Sequence, residues 1–119
     1  MQSEMKNIYF DKNGGKITAK VRIEGNIHWA YKLEACGSVF ADKGPAPGEF
    51  EHIIHFTYVE MKKNIFQFNM MNNTNAEQSF EVEIIWMQNK KVLDTWKITD
   101  ELNPAAIRVI FDQVNLCSN

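Results

Sequence analysis

Residues Lys16–Ala35 read "KITAKVRIEGNIHWAYKLEA", and this stretch decides the fold class. Ile17, Ala19, Val21 and Ile23 alternate with Thr18, Lys20, Arg22 and Glu24, a period of two that gives an extended strand one apolar and one polar face. The alternation resumes at Ile27, Trp29, Tyr31 and Leu33. Between the runs stands Gly25-Asn26, a pair suited to positive φ, so the stretch predicts an antiparallel hairpin of two half-buried strands.

The same signature recurs to the end of the chain. "FEHIIHFTYV", "IFQFNMMN", "FEVEIIWMQ" and "KVLDTWKIT" read as strands, the last after a turn at Asn89-Lys90. "AIRVIFDQV" follows, with Ile107, Val109 and Phe111 set against Arg108, Ile110 and Asp112. "NIYF" adds an edge strand within the N-terminal segment 1–15, and "DKNGG" turns after it. In "CGSVFADKGPAPGE", residues 36–49, three glycines and two prolines oppose regular pairing, which makes this the longest expected loop. "TDELNPAA" allows at most one short helical turn, near residues 100–103, capped by Thr99 or Asp100 and stopped by Pro104.

A chain of 119 residues has the size of one domain. Seven to eight strands at short intervals therefore predict an all-β fold over residues 1–119, a two-sheet antiparallel β-sandwich, with a closed β-barrel as the alternative. The architecture resembles immunoglobulin-like and fibronectin-like sandwiches, although the Cys…Trp…Cys spacing of antibody domains is missing. Likeness of architecture implies no function.

Composition excludes several roles. Thirteen Lys and Arg against fifteen Asp and Glu, scattered apart from Lys62-Lys63 and Lys90-Lys91, give nucleic acid no electrostatic footprint. No stretch approaches the roughly 18 apolar residues of a membrane span. "MQSEMKNIYF" is no secretory signal, so the sequence as it stands reads as cytoplasmic, or as secreted or periplasmic if a signal preceded it. Cys36 and Cys117 fit neither a zinc nor a CxxC spacing, and a disulfide between them stays open. Asn72-Asn73-Thr74 fits the glycosylation pattern.

Catalytic chemistry finds little support. His52 and His55, three apart in "EHIIH", project to opposite faces of a strand and cannot share an ion without a bulge. His52 belongs with Phe50, Ile54 and Phe56 as a mostly buried neutral imidazole holding one hydrogen bond. The remaining metal candidates are His55 with Glu51, joined by His28 from another strand. "DKNGGK" lacks the acidic ligands of a calcium loop, no serine lies in a GxSxG elbow, and the prolines of "GPAPG" remove the N–H groups of a phosphate cradle. Glu81 and Glu83 share a solvated strand face. Neither an enzyme nor a cofactor is expected.

Binding is the remaining role. Trp29, Trp86 and Trp96 lie in register with apolar partners and belong to the core, leaving Tyr9, Phe10 and Phe40 as loop aromatics. The second faces of the middle strands still carry Ile53, Val59, Ile65, Met71, Ile85, Met87 and Leu93, where an isolated sandwich should be polar. This predicts a non-catalytic binding or assembly module, with a protein partner or a homodimer covering a semi-apolar sheet face or the 36–49 loop. A carbohydrate or small-ligand domain using the loop aromatics and the polar 72–78 tip is the alternative.

Overall fold

The structure, a computed structural model, describes residues 6–35, 38–56 and 63–118. These form nine strands and no helix: β1 (Lys6–Phe10), β2 (Ile17–Gly25), β3 (His28–Ala35), β4 (Ser38–Pro47), β5 (Phe50–Phe56), β6 (Asn64–Met71), β7 (Gln78–Gln88), β8 (Lys91–Leu102) and β9 (Ile107–Ser118). They lie in two open sheets, not in a barrel: β1-β9-β6-β3-β4 and β5-β2-β7-β8. All pairs are antiparallel except β1 with β9. The sandwich forms because the alternating rows bury their apolar sides against each other; Ile17, Ala19, Val21 and Ile23 of β2 are all at most 1% exposed.

Lys16–Ala35 is nevertheless not a hairpin. β2 pairs with β5 and β7, whereas β3 pairs with β4 and β6 in the other sheet. Two strands whose apolar rows are equally complete gain more by facing each other across the core than by lying side by side. Gly25 makes the corner at φ 133°, where a Cβ would stand 2.6 Å from the Ser79 carbonyl oxygen. The expected hairpin at Asn89-Lys90 does form, with φ 51° and 64° at the two residues.

Three further segments differ from their reading. The 36–49 loop is largely strand β4, an edge strand paired only with β3 and broken by two register shifts. Prolines are tolerated at such an edge because no second neighbour needs their N–H. Among β4 residues only Ala41 is buried, so no alternation was there to read. Near 100–103 the chain stays extended to Leu102, and Asn103–Ala106 is a tight turn closed by Ala106 N donating to Asn103 O at 3.0 Å. β9 presents its other side to the core: Ile110, Asp112, Val114 and Leu116 are buried, while Ile107, Val109 and Phe111 face outward.

Asp112 enters the core because a cation reaches it. Lys6 Nζ on β1 lies 3.8 Å from Asp112 Oδ1 on β9 and 3.0 Å from Asp94 Oδ2 on β8. One ammonium thus ties the edge of one sheet to the edge of the other, and a fully buried carboxylate without such compensation would be strongly destabilising. The orientation of β9 is testable by urea denaturation. Ile110→Ala should lower the unfolding free energy by about 2–5 kcal/mol and Val109→Ala by less than about 1 kcal/mol; equal losses would contradict it.

Candidate functional site

The inward rows fix what each sheet shows to the outside. On the five-stranded sheet the register sets His28, Met71 and Ile107 in one outward row, then Ala30, Asn69 and Val109, then Lys32, Gln67 and Phe111. Ile107 is 62% exposed, Val109 40% and Met71 38%, a contiguous apolar patch at one end of the face. Beside it a cleft of about 80 Å³ opens between Ala30, Pro45, Met71 and Ile107.

The outer face of the four-stranded sheet is more mixed. Ile53, Lys20, Ile85 and Thr95 form one row, and His55, Thr18, Met87 and Val92 the next. Ile53 and Val92 are exposed; Lys20 separates Ile53 from Ile85, whereas Val92 pairs directly with the half-buried Met87. Leu93 leaves this face. A bulge opposite Trp86 and Met87 turns Leu93 to pack against the core. Ile65 is half-buried beside Gln113, and Val59 lies outside the described residues.

The aromatic candidates separate. Phe10 is 0% exposed, a core residue, because β1 is a true strand and alternates. Phe40 sits on β4, partly exposed, stacked on Phe56 at 5.4 Å. Tyr9 sits on β1 at the opposite edge of the same sheet, and with Asp11, Asn89 and Lys91 it lines a recess of about 260 Å³. The 72–78 tip is at the far end from that recess, since it joins β6 to β7 where Met71 pairs Ile107 and Gln78 pairs Leu102. The tip is also held by its own hydrogen bonds. Buried Asn72 donates through Nδ2 to the Ala76 and Leu102 carbonyls, each at 2.8 Å, and its Oδ1 accepts from Thr74 N and Oγ1. The amide that the glycosylation pattern would modify is thus wholly engaged.

The metal candidates separate likewise. His55 and Glu51 face outward from the four-stranded sheet and His28 outward from the five-stranded one, with the core between them. Among the described residues no group of three His, Cys, Asp or Glu side chains could hold an ion. Cys117 is a free thiol, and Cys36 lies outside the described residues. No described helix is long and apolar enough to cross a membrane.

His52 is half-buried on the inward row of β5, in phase with Phe50, Ile54 and Phe56. Its Nδ1 lies 2.8 Å from the hydroxyl of Tyr31, a residue 1% exposed whose pKa burial raises. Burial, and then the charge of Lys43, hold the His52 pKa below its ordinary 6.5. Trp29 and Trp86 are buried as expected, and Trp96 is half-buried against Phe68.

The patch residues absent from the sequence-derived candidates are Ile107 and Val109, which with Phe111 form the more apolar row of β9 set against Arg108, Ile110 and Asp112. The signal lay further on: Val114 and Leu116 are in phase with Ile110, so the longer apolar row of β9 is the one that contains Asp112. Comparison with protein families, curated proteins and solved structures yields no match.

A depressed folded-state pKa means that the unfolded chain binds the His52 proton first, so stability rises with pH and is lost as pH falls below 6.5. Urea midpoints of the native chain should therefore fall between about pH 7.5 and 5. His52→Gln should show a smaller fall; an identical fall would remove His52 as a cause.

Proposed function

We propose that this chain is a non-catalytic β-sandwich binding module that makes protein–protein contacts through the outer face of its five-stranded sheet. One observation carries the reading: Met71, Ile107 and Val109 stand side by side on adjacent strands, each at least 38% exposed. Apolar surface gains roughly 25 cal/mol per Å² when removed from water, so a contiguous patch is a stronger drive to association than the same side chains scattered. Ala30 and the cleft beside Pro45 give the patch relief, a hole into which a partner's side chain can fit.

A photo-crosslinking residue placed at 109 should capture a discrete protein partner in the cells that make this chain, where the same residue at 95, on the opposite outer face, does not. Ile107→Lys with Val109→Lys should abolish that capture while leaving the fold intact by circular dichroism. Equal labelling from both positions would refute the reading.

A small-ligand reading has the Tyr9 recess in its favour, since an exposed ring beside Asp11, Asn89 and Lys91 offers a stacking face with polar neighbours. Under that reading, saccharides at millimolar concentration should shift amide NMR signals of residues 9–11 and 88–91. Shifts that persist undiminished in Tyr9→Ala would exclude Tyr9 as the platform.

A further inference from the structure

The charges that look scattered in sequence are sorted in space. β8 and β9 have 12 residues each, and the molecule measures 50 × 27 × 21 Å. At about 3.3 Å per residue such strands run close to 40 Å, so the long axis is the strand direction and the two ends are far apart.

One end is basic. Gln88 pins the β1–β2 loop: its Oε1 accepts from Asp11 N at 2.9 Å, and its Nε2 donates to the Asp11 and Gly15 carbonyls at 2.7 and 3.0 Å. This holds the loop that carries Lys12 and Lys16 beside the β7–β8 turn that carries Lys90 and Lys91, and Lys63 precedes β6 at the same end. All five lysines are exposed, and among the described residues of these segments Asp11 is the one acidic neighbour.

The other end is acidic. Glu24, Glu49, Glu77, Asp100 and Glu101 gather where β2, β5, β7 and β8 begin or finish. Arg108 pairs with Asp100 and Arg22 with Glu24, but no ion pair among the described residues engages Glu49, Glu77 or Glu101. Crowding is already felt there, since a hydrogen bond to Glu101 and that residue's like charge raise the Glu77 carboxyl pKa.

We propose that copies of this chain associate head to tail, the lysine-rich end of one molecule seated against the carboxylate-rich end of the next. A second copy is the occupant that the charges select, because each molecule carries both halves of a complementary pair at opposite ends of its long axis. Such a contact is heterologous, so it leaves one free end of each sign and extends into rows or closes into rings. It uses the ends and leaves the five-stranded face free, so it is separate from the protein-contact reading above.

Sedimentation velocity tests it. The native chain should associate with rising concentration at about 20 mM salt and at least tenfold more weakly at about 500 mM, where the screening length shrinks to a few ångströms. Lys12→Glu/Lys16→Glu/Lys90→Glu and Glu49→Lys/Glu77→Lys/Glu101→Lys each make both ends alike, so each variant alone should be monomeric at low salt. Mixed in equal amounts the two should associate again. Association that ignores salt and survives in each variant alone would overturn the proposal, as would a native chain that stays monomeric at low salt or that only binds a polyanion such as heparin. Ile107→Gln/Val109→Gln, which removes the apolar patch without adding charge beside the acidic end, should leave the salt-dependent step unchanged, which separates its failure from that of the sheet-face reading.

Discussion

A run of ring contacts crosses this sandwich, and the register of the strands that carry it follows from it. Phe40 stacks on Phe56, Phe56 on Trp86, and Trp86 meets Phe66 edge-on at 5.9 Å across the gap between the sheets. From Phe66 the contacts pass to Phe68, then to Tyr31 and Trp96, then through Phe50 to Trp29. Each pair contributes about 0.5–1.5 kcal/mol beyond its buried area, yet the larger effect is on register. A one-residue slip of any of these strands would turn its rings to solvent. With the rings locked inward, the outward rows of the strands that carry them have no freedom, and the exposure of Met71 follows; on β9, which carries none of these rings, the buried Ile110, Asp112, Val114 and Leu116 turn Ile107 and Val109 outward.

That dependence explains what was legible in the sequence. β2, β3 and β7 each bury one complete apolar row, and their alternation could be read directly at Ile17–Ile23, Ile27–Leu33 and Phe80–Trp86. What could not be read was which strands face and which adjoin, since alternation is the same for a hairpin and for a corner. Gly25 suits either, and only the closeness of the Ser79 carbonyl shows which. β4 escaped because an edge strand that buries only Ala41 carries no periodic signal. β9 was inverted because Ile107, Val109 and Phe111 form the more apolar row locally, while the row that wins carries Arg108 and an aspartate whose partner, Lys6, is more than a hundred residues away.

The same limit applies to the surfaces. Lys12, Lys16, Lys63, Lys90 and Lys91 are separated along the chain by strands that run out and back, and each return brings a lysine to one end. A net charge of -2 conceals this, since it averages two ends of opposite sign. His52 shows the reverse case. Its in-phase neighbours Phe50, Ile54 and Phe56 sufficed to place it on the inward row of β5, where it is half-buried and Tyr31 meets it.

β4 also has a consequence for how the protein behaves when crowded. A flat, regular edge offers its unpaired N–H and C=O groups to any passing strand, the first step toward fibrils. Along β4 two prolines lack the N–H, and breaks in register opposite Trp29–Tyr31 and Leu33–Glu34 bend the strand out of line. That margin of the five-stranded sheet is therefore a poor template for sheet growth. The glycines and prolines that hid a strand from the sequence reading act as a guard against colloidal collapse.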